Sequence, residues 1–211
     1  MHVRIGVMGG TFDPIHYGHL VAASEVAHRF SLDSVIFCPA GEPWHKAEHI
    51  PAQGEQRYLM TVAATANDPR FEVSRVDIER PGPTYTVDTI ADLQTEFSLT
   101  HPHDTADWFF ITGADALAGV NSWRDPQHLL ESVHLIGVTR PGHALIDPGL
   151  PEGGFSLVEV PALAISSTDI RSRVAMGAPI TYLVPESVER LIAKFELYQP
   201  TSGKQAHAGI E

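Results

Sequence analysis

The chain has 211 residues and a formal net charge of -12 with its histidines neutral. That length suits one sizeable core, and the acidic balance disfavours a nucleic-acid backbone as partner and favours a small anion held in a local basic pocket. A single cysteine, Cys38, excludes an intramolecular disulfide; no apolar run is long enough to span a membrane and no signal-peptide pattern is present, so a cytoplasmic location is expected.

Val3-Arg4-Ile5-Gly6-Val7-Met8 alternates and carries β-branched residues, which predicts a short buried strand. It runs into Gly9-Gly10-Thr11-Phe12-Asp13-Pro14-Ile15-His16-Tyr17-Gly18-His19, and Leu20 to Phe30 then follows at helical spacing without Gly or Pro. A strand, a glycine turn and a helix start in that order form a ready anion site, because the helix N-terminus offers unpaired N–H groups and the glycines let backbone approach a ligand. On a helix, His16 and His19 would share one face about 4.5 Å apart along the axis. Two imidazoles there suggest phosphate chemistry; a metal half-site is the other reading, but no Cys or carboxylate cluster at ligand spacing completes it.

The whole string resembles the Gly-Gly-Thr-Phe-Asp-Pro-x-His-x-Gly-His signature of the nucleotidyltransferase superfamily, in the form found in bacterial nicotinate-mononucleotide adenylyltransferases. The resemblance implies an α/β, Rossmann-like three-layer sandwich with a mainly parallel central sheet and helices on both faces. It also implies that Gly9, Gly10, Thr11, Phe12, His16 and His19 bind ATP, with both histidines catalytic.

Ser34 to Cys38 reads as a second strand, making a right-handed βαβ unit with the first. Gly41-Glu42-Pro43-Trp44-His45-Lys46 opens a polar loop to about Gln53. By itself Lys46 reads better as a solvated lysine; resemblance implies a catalytic cation for the nucleotide phosphates, although Trp44 stands where many relatives have a second proline. Glu55 to Asn67 is an amphipathic helix and Phe71 to Ser74 a strand. The Pro81-Gly82-Pro83 turn then hands over to a helix through Thr84-Tyr85-Thr86. Tyr85 alone could be packing; resemblance implies that Thr84, Tyr85 and Thr86 face the nicotinate ring.

Asp107 to Gly113 is a buried strand ending at Gly113-Ala114-Asp115, where Asp115 could accept from a ribose hydroxyl or cap a helix. The resemblance matches Gly113 and Asp115 to a Gly-x-Asp element at the adenosine end or the shared cleft. Trp123, in the polar segment Asn121-Ser122-Trp123-Arg124, could stack on a planar heterocycle, and resemblance implies the pyridine. His134 to Thr139 is another strand, and Arg140 at its end could hold the carboxylate or phosphate of the mononucleotide. Residues 142–154 read as a variable loop and Phe155 to Val160 as the last strand.

Ile165-Ser166-Ser167-Thr168-Asp169-Ile170-Arg171 fits a capped helix start, with Ser166 and Asp169 forming the box. It also resembles the superfamily's Ile-Ser-Ser-Thr-x-Ile-Arg motif, which implies that Ser166, Ser167, Thr168 and Arg171 hold ATP phosphates, Arg171 catalytically. A final helix from about Pro185 to Tyr198 completes one expected domain, 1–198, and a disordered tail is expected over 199–211. The implied partners are ATP and nicotinate mononucleotide, with Mg²⁺ bound mainly through the ATP phosphates, no nucleic acid, no membrane, and a possible homo-oligomer. The implied reaction yields deamido-NAD and pyrophosphate; an amide-using or dual-specificity transferase and a non-catalytic nucleotide-binding module stay open as alternatives.

Overall fold

A computed structural model of the chain describes residues 1–43, 52–140, 147–151, 153–161 and 164–200. In chain order the elements begin with β1 (His2–Gly10), α1 (Tyr17–Arg29), β2 (Ser34–Pro39), the two-residue β3 (Glu42–Pro43), α2 (Gly54–Thr65) and β4 (Phe71–Val73). Next come the one-turn α3 (Val76–Glu79), the two-residue β5 (Pro83–Thr84), α4 (Thr86–Thr100), β6 (Thr105–Gly113) and the one-turn α5 (Ala114–Leu117). A 3₁₀ turn (Val120–Ser122), α6 (Pro126–Ser132), β7 (His134–Thr139), β8 (Phe155–Glu159), α7 (Ser167–Ala175) and α8 (Glu186–Lys194) follow.

Six strands form one sheet in the order β4-β2-β1-β6-β7-β8, and every described pairing in it is parallel. The alternation seen in the sequence is what divides the core, because successive strand residues point to opposite faces. Met8, Phe37, Phe109, Ile111 and Ile136 pack with α1, α2, α7 and α8 residues in one apolar cluster. Their strand neighbours Val7, Cys38, Phe110 and Leu135 pack with Ile90 and Leu93 of α4, Leu117 and Leu129 in the other. The result is the expected three-layer sandwich. Each fully buried Ile or Leu in these layers contributes about 1.5–3 kcal/mol.

From β1 the strand order runs outward through β2 in one direction and through β6 in the other. A parallel sheet with that reversal leaves a crevice beyond the carboxyl ends of the two central strands. Those ends are Gly9-Gly10 on β1 and Thr112-Gly113 on β6. The register Met8↔Ile111 brings them side by side.

Several boundaries differ from the sequence expectation. The first helix begins at Tyr17 rather than Leu20, and β6 begins at Thr105 rather than Asp107. The last helix ends at Lys194, short of Tyr198, because Glu196 and Tyr198 adopt positive φ. Of the loop expected to reach Gln53, residues 44–51 lie outside the described residues, as do 141–146 and 152 in the variable loop and 201–211 in the expected tail.

Candidate active site

The glycine loop is shaped by three local features. Phe12 has φ of 49°, the Asp13–Pro14 peptide is cis, and His16 is the N-cap of α1 with extended backbone. The histidines therefore do not lie on one helix face: His16 sits just outside the helix and His19 in its first turn. Their rings nonetheless stack, with centroids 3.8 Å apart and planes at 26°. The His16 backbone N–H donates to Nδ1 of His19 at 3.3 Å, which leaves the ring proton of a neutral His19 on Nε2.

His16 is 6 % exposed, and its Nδ1 has no partner among the described residues. Burial pushes its pKa down to about 4, so near neutral pH it is an uncharged imidazole. Gly18 makes room for it: a Cβ there would meet His16 Nδ1 at 2.9 Å and Cε1 at 3.0 Å. Gly10 does the same for the Phe12 ring, which a Cβ would meet at 2.9 Å. The side chain of Phe12, a residue expected among those binding ATP, lies in the core, 2 % exposed, packed on Phe37 and edge-on to His19 at 5.1 Å.

Two cavities open beyond the carboxyl ends of β1 and β6. The first, about 350 Å³, is lined by Gly9, His16, Gly18, His19, Gly113, Asp115, Arg140 and Ile165, among others. The second, about 500 Å³, is lined by Gly9, Gly10, Thr11, Thr84, Tyr85, Thr86, Trp123 and Arg124, among others. Gly9, Thr112 and Asp115 belong to both walls. Asp115 is not a helix cap, since the N-cap of α5 is Gly113; it lines both cavities.

Thr84, Tyr85, Thr86 and Trp123 thus come together, as the sequence suggested, around one space. Thr84 Oγ1 accepts from the Gly41 N–H at 3.2 Å, and β3 pairs with β5 beside it. Trp123 is half-buried against Phe110, edge-on at 6.0 Å. Arg140 does not join this group. It continues β7, which lies on the far side of β6 from β1, and it lines the cavity of His16 and His19. The strand-end position expected for Arg140 therefore places it on the wall of the histidine cavity. Lys46 lies outside the described residues.

The second motif meets the first directly. Ser166 caps α7 by accepting from the Asp169 N–H at 3.1 Å, Ser167 Oγ donates to the Pro14 carbonyl at 2.9 Å, and Arg171 Nη1 donates to the Asp13 carbonyl at 2.7 Å. Arg171 Nη2 reaches Thr168 Oγ1 at 3.3 Å. These contacts clamp the N-terminus of α7 against the glycine loop, and Ile165 is the residue of this motif that reaches the first cavity.

Two supports of the loop were missed in the sequence. Arg57 is 1 % exposed and donates to the carbonyls of Thr11 at 2.7 Å, Gly41 at 3.0 Å and Ala52 at 3.3 Å. The signal was a charged residue on the apolar stripe of α2, in line with Met60, Thr61 and Ala64. Tyr198 donates its hydroxyl to Asp13 Oδ1 at 2.7 Å, with no local signal at all. Burial raises the Asp13 pKa against the opposing effects of the Tyr198 bond and the Arg171 and Arg57 charges. Burial and the Asp13 charge both hold the Tyr198 hydroxyl protonated.

Among the described residues no group of three or more His, Cys, Asp or Glu side chains is arranged to hold a metal ion, and no helix is long and apolar enough to cross a membrane.

Residues 7–173 match the cytidylyltransferase-like family. A protein of Acidothermus cellulolyticus named "Probable nicotinate-nucleotide adenylyltransferase" is 60 % identical over 204 residues, covering 95 % of this chain and 96 % of its own. One of the same name from Streptomyces coelicolor is 62 % identical over 192 residues, covering 91 % and 99 %. Among solved structures, the nicotinic acid mononucleotide adenylyltransferase of Plasmodium falciparum complexed with NaAD superposes with a TM-score of 0.71 at 21 % identity, covering 93 % of this chain and 98 % of that one. That likeness establishes the shared fold.

Proposed function

Because the chain belongs to the cytidylyltransferase-like family, and within it to the nicotinate-nucleotide adenylyltransferases, we propose that it transfers the adenylyl group of ATP to nicotinate mononucleotide, giving deamido-NAD and pyrophosphate. The observation that carries this reading is the pair of cavities sharing Gly9, Thr112 and Asp115. One is walled by imidazoles at a helix N-terminus, suited to a polyphosphate, and the other by Tyr85 and Trp123, suited to a planar ring.

The reaction needs no nucleophile from the protein. A phosphate oxygen of the mononucleotide attacks the α-phosphorus of ATP, a new P–O bond forms in line with the one that breaks, and pyrophosphate leaves with the electron pair. Catalysis is then positioning together with stabilisation of charge on the phosphoryl oxygens. His19 donates from Nε2 to a phosphoryl oxygen, His16 acts as a neutral imidazole beside it, and the N-terminus of α1 contributes its positive dipole end. Arg140 suits the nucleotide phosphates or ribose of ATP. Arg171, Ser167 and Arg57 hold the loop in shape, and Lys46 suits the leaving pyrophosphate. The divalent ion enters with its substrate as MgATP, held by phosphate oxygens and water, and the expected setting is the cytoplasm.

Pyrophosphate release from MgATP with nicotinate mononucleotide, and separately with nicotinamide mononucleotide, tests the reading. Release with the acid is expected. No release with either mononucleotide would refute it.

A further inference from the structure

The described lining of the second cavity carries three charged side chains, Asp77, Asp115 and Arg124. The Asp77 carboxylate is buried and already engaged: Arg80 Nη1 and Thr89 Oγ1 each donate to it at 2.8 Å. Arg124 is therefore the one cation among the described residues of that wall. It is exposed at the mouth, yet not adrift. Its guanidinium carbon lies 4.8 Å over the Tyr85 ring, and Nη1 donates to Asp88 in the first turn of α4 at 3.2 Å.

These contacts fix the guanidinium beside the two aromatic residues that suit a planar ring. A guanidinium has five N–H donors in a rigid fork that fits a carboxylate, and the bond to Asp88 uses one. A carboxylate and a carboxamide of the same shape differ mainly in charge and in acceptor capacity. A cation beside the ring discriminates between them, whereas hydroxyls and aromatic faces do so weakly.

Resting on the adenylyltransferase reading above, we infer that Arg124 is the residue that selects the acid over the amide, by pairing with the carboxylate on the pyridine ring. Arg140 does not fill this role, since it lines the other cavity. Tyr85 and Asp88 serve as its holders, keeping a long flexible side chain near one geometry before the substrate arrives.

The test compares wild type, Arg124→Gln and Arg124→Lys by steady-state kinetics with MgATP and either mononucleotide, with thermal melting alongside. Arg124→Gln should raise KM for nicotinate mononucleotide by up to about fivefold, the size of an exposed charge pair, and leave KM for nicotinamide mononucleotide unchanged. Arg124→Lys should recover part of the loss. An equal rise in both KM values would move the contact to the shared phosphate and overturn the inference, as would no change in either. Wild type inactive on both mononucleotides would overturn the adenylyltransferase reading itself and this inference with it. An unchanged acid preference in an active variant would overturn this inference alone.

Discussion

Replacing Gly18 by alanine adds one methyl group against the His16 ring. That methyl would stand 2.9 Å from His16 Nδ1 and 3.0 Å from Cε1, where comfortable contact needs about 3.5 Å. The imidazole must withdraw by roughly 0.5 Å. It cannot do so alone, because it is buried and stacked at 3.8 Å on His19, so the displacement passes to the second ring. A misplacement of about 1 Å costs on the order of a hundredfold in rate, and half of that corresponds to about tenfold. The backbone effect has the opposite sign, since alanine in a helix is favoured over glycine by about 0.5–1 kcal/mol. Gly18→Ala should therefore lose about tenfold in pyrophosphate release with MgATP and nicotinate mononucleotide while its Tm stays within a few degrees of wild type. Full turnover would refute the reasoning, because the rings would then tolerate a shift that the geometry says the reaction feels.

His19→Ala should lower turnover at least about tenfold with an unchanged melting curve; unchanged turnover would remove His19 from the mechanism. Tyr198→Phe deletes the donor to the buried Asp13 carboxylate, and should lower the urea unfolding free energy at pH 7 by about 1–3 kcal/mol. A loss too small to measure would mean that the bond contributes nothing. The pH dependence of stability has a signature from His16, whose protonation is held down to about 4 against an ordinary 6.5. Between those values the unfolded chain binds the extra proton, so stability falls as pH drops through the window, by on the order of 2–3 kcal/mol. Above 6.5 this contribution is fully present. Asp13, whose pKa is raised by burial, works in the other direction, its contribution present in acid and lost as pH rises. Urea unfolding of His16→Gln from pH 6.5 to 4 should show a flatter slope than wild type, and an equal slope would assign the acid sensitivity elsewhere.

The fold was legible because its strands carry the pattern themselves. Ser34 to Cys38 and His134 to Thr139 were read within a residue of where they lie, since a β-branched run flanked by turn residues has few other readings. The short elements were not. The pairing of β3 with β5 involves two residues on each side, two of them prolines, and no period can be read from two residues. The start of α6 did carry a signal, Asp125 followed by Pro126 at the first helical position, but it lay beyond the Trp123 segment and went unread.

Within the site, local chemistry was visible and long-range partnership was not. The histidine pair and the Ser166 cap are marked by their own spacing, and the Thr84 to Thr86 segment by its resemblance to the family. Arg57 looked like one more helix residue because its partners are the carbonyls of Thr11, Gly41 and Ala52, which only the folded chain brings together. Arg140 was assigned to a strand end, and only the fold says which cavity that end borders. The sequence tells where a strand stops, but the side of the crevice on which it stops depends on the order of strands in the sheet.

The bond between Tyr198 and Asp13 spans 185 positions in the chain. A ribosome delivers Asp13 early and Tyr198 near the last of the described residues, so throughout most of synthesis the loop bearing both histidines lacks the hydroxyl that its buried carboxylate needs. The sheet can begin to assemble around β1 and β2 as they emerge, while the finished form of that loop awaits Tyr198. Nascent fragments ending before Tyr198 should accordingly hold strands and helices while the loop bearing both histidines still lacks that bond.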